Sequence, residues 1–172
     1  MLAAPASASA CGYDNPDDLA QYLINIRYPK AMYLRAAVAD AERAGLLPTG
    51  ASRKTSLDPF EFYRTTTKLQ QFGKRLAHWR GSGKGAGFTL ALLDVALWTR
   101  YQPAADGYSA QVHADAPAKG DLVLITDVVV LTALLDGELG MVDALKAELV
   151  RVYGPEQMQR EARRGLLEFD KR

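Results

Sequence analysis

Between residues 58 and 170 the spacing of apolar residues changes from a helical period to a strand-like one and back. No other feature of the chain constrains its fold as strongly. Phe62, Thr66, Leu69, Phe72, Leu76 and Trp79 recur at steps of three and four, the stripe of a helix that packs on one side. Asp58-Pro59-Phe60-Glu61 opens that helix, with Asp58 placed to cap it. Two β-rich runs follow, Tyr108 to His113 and Asp121 to Thr126, separated by the turn chemistry of Asp115-Ala-Pro-Ala-Lys-Gly120. Val129, Leu131, Leu134 and Leu135 restore the helical pattern, which ends at Gly137. A short helix from Gly140 to Lys146, a strand through Leu149 to Tyr153 and an amphipathic helix from Glu156 to Phe169 complete the reading. Helices flanking a strand-rich block predict an α+β fold, with helices packed on one mainly antiparallel sheet.

The stretch Gly87 to Tyr101 fits either a strand or a buried helix and leans to strand. As a strand, Leu92 to Arg100 would pair with Tyr108 to His113 through Pro103-Ala-Ala-Asp106-Gly107. Upstream, Asn15-Pro16-Asp17-Asp18 starts one helix and Pro29 to Leu46 forms a second, with Met32, Ala36, Ala39 and Arg43 on successive turns. The expected organisation is therefore a signal-like or disordered N-terminus (1–12), an N-terminal helical pair (13–50) and an α+β domain (58–170).

At 172 residues and 48% apolar content, the chain can bury a core without staples. Twenty-one Lys and Arg face 20 Asp and Glu, a balance of +1 that argues against nucleic-acid binding. The charge is uneven, however. Residues 51–85 hold eight bases and two acids, a net of +6, whereas 86–140 carry a net of −5. Arg64, Lys68 and Arg75 line the side of the third helix away from its apolar stripe. That basic contact face either meets a protein partner or an anionic lipid surface, or is a solvated face answering the acidic half of the same domain.

Met1 to Ala10 are rich in Ala and Ser without most of an apolar h-region, and Ala8 with Ala10 matches an A-x-A cleavage pattern before Cys11. This reads as export to an extracytoplasmic, periplasmic or secreted location, with lipidation at Cys11 as an option. The bland reading is a disordered tail on a cytoplasmic protein. The basic n-region is missing, and Ala8-Ser9-Ala10-Cys11 lacks the leucine usual before a lipidated cysteine. Cys11 is the only cysteine, so no internal disulfide forms. No run of about 18 apolar residues is present to span a membrane.

Gly81-Ser-Gly-Lys-Gly-Ala-Gly87 fails as a phosphate loop, because His78 stands where the first glycine belongs and Gly85 where the hydroxyl belongs. His78 and His113, 35 residues apart, form no ligand pair. Neither a nucleophile–base pair nor a metal set can be named, so no catalytic residue, metal or cofactor is expected and the chain reads as a non-enzyme. The aromatics Tyr63, Trp79, Phe88, Trp98, Tyr101 and Tyr108 cluster around the third helix and the segments after it. They either line a cavity for an apolar or amphipathic ligand or pack as ordinary core.

Gly120-Asp-Leu-Val-Leu-Ile-Thr-Asp127, Leu131-Thr-Ala-Leu-Leu-Asp-Gly-Glu-Leu139 and Asp143-Ala-Leu-Lys-Ala-Glu-Leu-Val-Arg-Val-Tyr-Gly154 together resemble the sterol carrier protein family. The pattern is a strand with polar ends, a helix ending in Leu-Leu-x-Gly-x-Leu, a short helix, and an apolar strand ending in glycine. Ala147-Glu148 departs from it, standing where Gly-Lys is common. The resemblance extends over about 59–170 and implies an α+β fold with an apolar tunnel and a lipid-type ligand. On this reading Tyr63, Trp79, Phe88, Trp98, Tyr101 and Leu134 line a cavity between helix 59–80 and the sheet. The competing expectation is an accessory subunit of an extracytoplasmic complex, which would use the N-terminal helices and the basic face.

Overall fold

A computed structural model describes residues 26–51, 58–78 and 87–170. Five α-helices and five strands lie among them: α1 (Leu34–Arg43), α2 (Pro59–Arg75), β1 (Phe88–Leu92), β2 (Leu97–Ala104), β3 (Gly107–Val112), β4 (Val123–Thr126), α3 (Val128–Asp136), α4 (Met141–Lys146), β5 (Arg151–Tyr153) and α5 (Glu156–Leu166). The strands form one sheet in the order β3-β2-β1-β4-β5. Only the β1–β4 pair is parallel; the other three are antiparallel. The fold is α+β on a mainly antiparallel sheet, as the sequence predicts. The signal-like stretch, Cys11, the first helix start, Trp79 and the glycine run 81–86 lie outside the described residues.

Local chemistry explains several element ends. The Asp58 carboxylate accepts from Phe60 N at 2.9 Å and Glu61 N at 2.8 Å, which caps two of the free amides at the start of α2. At the other extreme, Gly137 closes α3 at φ 78°, a left-handed position that costs glycine little. The 88–101 question resolves into two strands instead of one. Leu93 to Ala96 turn the chain, with Ala96 at φ 51°, and β1 then pairs with β2 from Phe88↔Tyr101 to Leu92↔Leu97. The pairing expected between the later part of this stretch and Tyr108–His113 is present, from Thr99↔Val112 to Ala104↔Gly107. Helix α1 buries Leu34, Val38 and Ala41, not the Met32–Ala36–Ala39–Arg43 row; a short 3-10 turn at Ala31–Tyr33 sets its phase.

Every residue of β1 and β4 is buried, so both faces of the sheet centre are covered. Register shows by what. Phe88, Leu90, Tyr101 and Leu124 share one face, where α2 packs with α3 beside it. Phe88 stacks on Tyr101 with ring centroids 4.6 Å apart, Tyr108 meets Phe88 edge-on at 5.3 Å, and Phe72 of α2 meets Tyr101 at 5.9 Å. Ala91, Trp98, Ile125, Arg151 and Tyr153 belong to the opposite face. There Tyr28 lies 6.2 Å from Trp98 and 5.3 Å from Tyr153, whose hydroxyl donates to Pro29 O at 2.9 Å.

Tyr101 ties the first face together. Its fully buried hydroxyl donates to Leu69 O at 2.8 Å, and burial pushes its phenol well above the ordinary value. Tyr101→Phe keeps the ring stack and removes this bond. It should cost about 1 kcal/mol, a fall of roughly 2–4 °C in thermal midpoint. An unchanged midpoint would mean that the bond contributes nothing net.

Candidate functional site

Strand alternation separates the aromatic residues singled out in the sequence. Phe88 and Tyr101 stack on each other under α2, and Leu134 is buried in α3 on that side. Trp98 stands three positions from Tyr101 and so points to the other face, against Tyr28. Tyr63 projects from α2 with 71% of its surface exposed. Leu69, Phe72, Phe88 and Tyr101 occupy the space between α2 and the sheet.

The three basic residues also have assignments. Arg64 pairs with Glu61 one turn away at 3.0 Å and is exposed. Lys68 donates to Thr132 Oγ1 at 2.8 Å. Arg75 donates through Nη1 to Leu134 O at 3.0 Å and through Nη2 to Leu135 O. Those carbonyls belong to the last turn of α3, where a helix has unpaired acceptors and the negative end of its dipole. Arg75 therefore caps a neighbouring helix from outside.

Open space lies on the opposite face. A groove of about 630 Å³ runs between α1 and the chain entering β5. Its α1 wall is lined by Ala36, Ala37, Ala41 and Ala44, side chains too short to fill the gap. Ala147, Glu148 and Arg151 form the facing wall. Tyr33 and Leu46, 64% and 40% exposed, stand at its edges, together with Lys30 and Asp40. Asp40 is paired with Arg43; among the described residues Lys30 forms no ion pair.

Arg151 is the buried one of the four charged residues that line this groove. Its side chain is only 9% exposed, since β5 carries it under α1. Nη2 donates to Glu148 Oε2 at 2.6 Å, while Nε is buried without a hydrogen-bond partner. Glu148 is 60% exposed and holds φ at +55°, a backbone conformation that side-chain-bearing residues seldom adopt. Tyr153 lies beside this pair; burial raises its phenol, and the Arg151 charge and a hydrogen bond from the Arg151 side chain offset part of that.

A second cluster sits at the start of α3. Asp127 Oδ1 accepts from Asp94 N at 3.1 Å, and the Asp94 carboxylate accepts from Val128 N at 3.2 and 3.3 Å. The β1–β2 turn thus caps α3, and α3's own cap residue secures the turn. Burial pushes the Asp127 carboxyl up to about 7, and the Asp94 charge acts in the same direction. Among the described residues no group of three or more His, Cys, Asp and Glu is placed to hold a metal, and no helix is long and apolar enough to cross a membrane.

No known family model matches the chain, and no curated protein matches it in sequence. Solved structures do match. One is a double mutant of the sec-alkyl sulfatase PisA1, with TM-score 0.42 and 18% identity, covering 75% of this chain and 20% of that one. Another is the ubiquinone synthesis protein UbiJ-SCP2, with TM-score 0.38 and 16% identity, covering 69% of this chain and 99% of that one. A third is TT1886 of Thermus thermophilus, a conserved hypothetical protein suggested to be a sterol carrier protein. It has TM-score 0.35 and 14% identity and covers 60% of this chain and 86% of its own. The chain spans about a fifth of the sulfatase chain's length.

Neither Arg151 nor the alanine wall stood out in the sequence. An arginine amid Leu149-Val150-Arg151-Val152 was the available signal, because a charge inside an apolar strand must find a partner or a ligand. The Glu148 departure from the family pattern marked its neighbour.

Proposed function

We propose that this chain is a non-enzymatic binder of a small amphipathic molecule, held in the groove between α1 and residues 147–151. The observation that carries this reading is the groove itself: about 630 Å³, walled by alanines, edged by exposed Tyr33 and Leu46, with one arginine at its side. Its volume falls within the common range for small-molecule sites, roughly 300–1,000 Å³, and it combines an alanine wall with the charged groups of Lys30, Asp40, Glu148 and Arg151. An apolar tail would cover the alanine wall and the exposed rims, while a polar head would meet Lys30, Glu148 or Arg151.

Titration with decanol and with sodium decanoate, followed by backbone amide shifts, tests this reading. Saturable shifts should be confined to residues 30–46 and 147–153. Ala37→Phe, at a half-buried wall position, should weaken binding at least tenfold, since a ring there would occupy the space the tail needs. A thermal midpoint within about 3 °C of wild type would show that the variant is folded. If neither amphiphile produces a saturable change, the reading is wrong.

A further inference from the structure

We propose that the groove selects an oxyanion headgroup, a carboxylate on an acyl chain, and that Glu148 occupies the headgroup position until the ligand displaces it. This rests on the groove being a ligand site and adds what the ligand must carry. A guanidinium nine-tenths buried needs its donors satisfied, and a carboxylate approaching side-on can accept from Nε and Nη2 together. Glu148 satisfies Nη2 alone at 2.6 Å and leaves Nε, buried, with no partner. The resident carboxylate is therefore an incomplete match to the arginine.

Two features make Glu148 displaceable. Its side chain is 60% exposed, so its carboxylate can return to water at little solvation cost. It is close in sequence to Arg151, so a pair of this kind adds little to the fold's specificity. When Glu148 turns outward, an incoming carboxylate takes Nη2 and reaches Nε as well. Its chain then lies along Ala37 and Ala41, and Lys30 at the groove edge adds a second positive charge near the entrance. No covalent step is involved.

Calorimetric titration of the full chain with sodium decanoate and with decanol separates the possibilities. Wild type should bind decanoate roughly tenfold or more tightly than decanol, because the head makes a charge-assisted fork that the alcohol cannot. Glu148→Gln removes the competing charge and keeps an acceptor for Nη2. It should tighten decanoate several-fold and leave decanol unchanged. Arg151→Lys keeps the charge but loses the fork, and should bring decanoate down to the level of decanol. Equal affinities for the two amphiphiles in wild type would overturn headgroup selection while leaving the groove a ligand site. Weaker decanoate binding by Glu148→Gln would overturn the displacement. Absence of binding by both amphiphiles would remove the groove reading and this inference together.

Discussion

Gly73→Ala should destabilise the protein by about 2–3 kcal/mol, although alanine is the better helix former by about 1 kcal/mol. The added methyl would sit 2.5 Å from Tyr108 O and 3.0 and 3.2 Å from the Tyr101 ring. Neither neighbour can yield cheaply. The first is backbone in β3, held by the ladder to β2, and the second is a buried ring stacked on Phe88 and bonded to Leu69 O. Gly107 meets α2 from the other side, since a Cβ there would lie 2.8 Å from Gly73 O. Helix α2 and the β2–β3 hairpin are in contact through two glycines, and a methyl must push them apart. The thermal midpoint should fall by roughly 5–10 °C. Gly45→Ala is the comparison, because that position has φ +73° yet no atom within 4 Å of the added carbon. Its cost should stay near 1 kcal/mol, the strain alone. A Gly73→Ala variant as stable as wild type would show that the helix can lift from the hairpin freely.

Asp127→Asn should stabilise the protein at pH 8 and change little at pH 4. The carboxyl of Asp127 is raised from 3.8 to about 7 in the folded chain, first by burial and then by the Asp94 charge, with Arg35 and the Asp94 amide opposing. A raised folded-state value means the folded protein binds a proton that the unfolded chain releases. The resulting stabilisation is present in full below about pH 4 and is lost as pH rises through 7. Wild type should therefore weaken across that window by on the order of 2–4 kcal/mol from this pair. Asparagine keeps an acceptor for Asp94 N, can donate to the Asp94 carboxylate and has no charge to bury. The midpoint difference between variant and wild type should grow from near zero at pH 4 to roughly 5–15 °C at pH 8. A difference independent of pH would show that Asp127 stays ionised throughout.

The two aspartates also show where sequence reasoning stopped. Asp94 lies in Leu93-Asp94-Val95-Ala96, which has none of the Gly, Pro or Asn that announce a tight turn, so Gly87 to Tyr101 read as one element. Asp94 in this turn is held from 33 and 34 positions away by Asp127 and Val128. Basic residues misled in a related way. Lys68 and Arg75 form a regular row on α2, which reads as a surface, yet they reach Thr132 and the last carbonyls of α3. Long flexible side chains do not reveal their partners through spacing. The candidate groove was the least legible feature, because an alanine carries no pattern that says whether its neighbour is protein or space.

By itself the sequence determined the element types and several of their ends. Asp58 caps α2, Gly137 stops α3, and outside Gly87 to Tyr101 the helical stripes and β-branched runs commit the segments to one backbone state within a few residues. These choices rest on hydrogen bonds and steric preferences local to the chain, so a local reading recovers them. Only the tertiary structure decided that Trp98 and Tyr101 serve opposite faces and that Gly73 meets the hairpin. It also decided that Arg151 lies beneath α1 with one donor unsatisfied. The glycine contact and the burial of the arginine depend on where segments tens of residues apart come to rest, which is set by burial summed over the whole core.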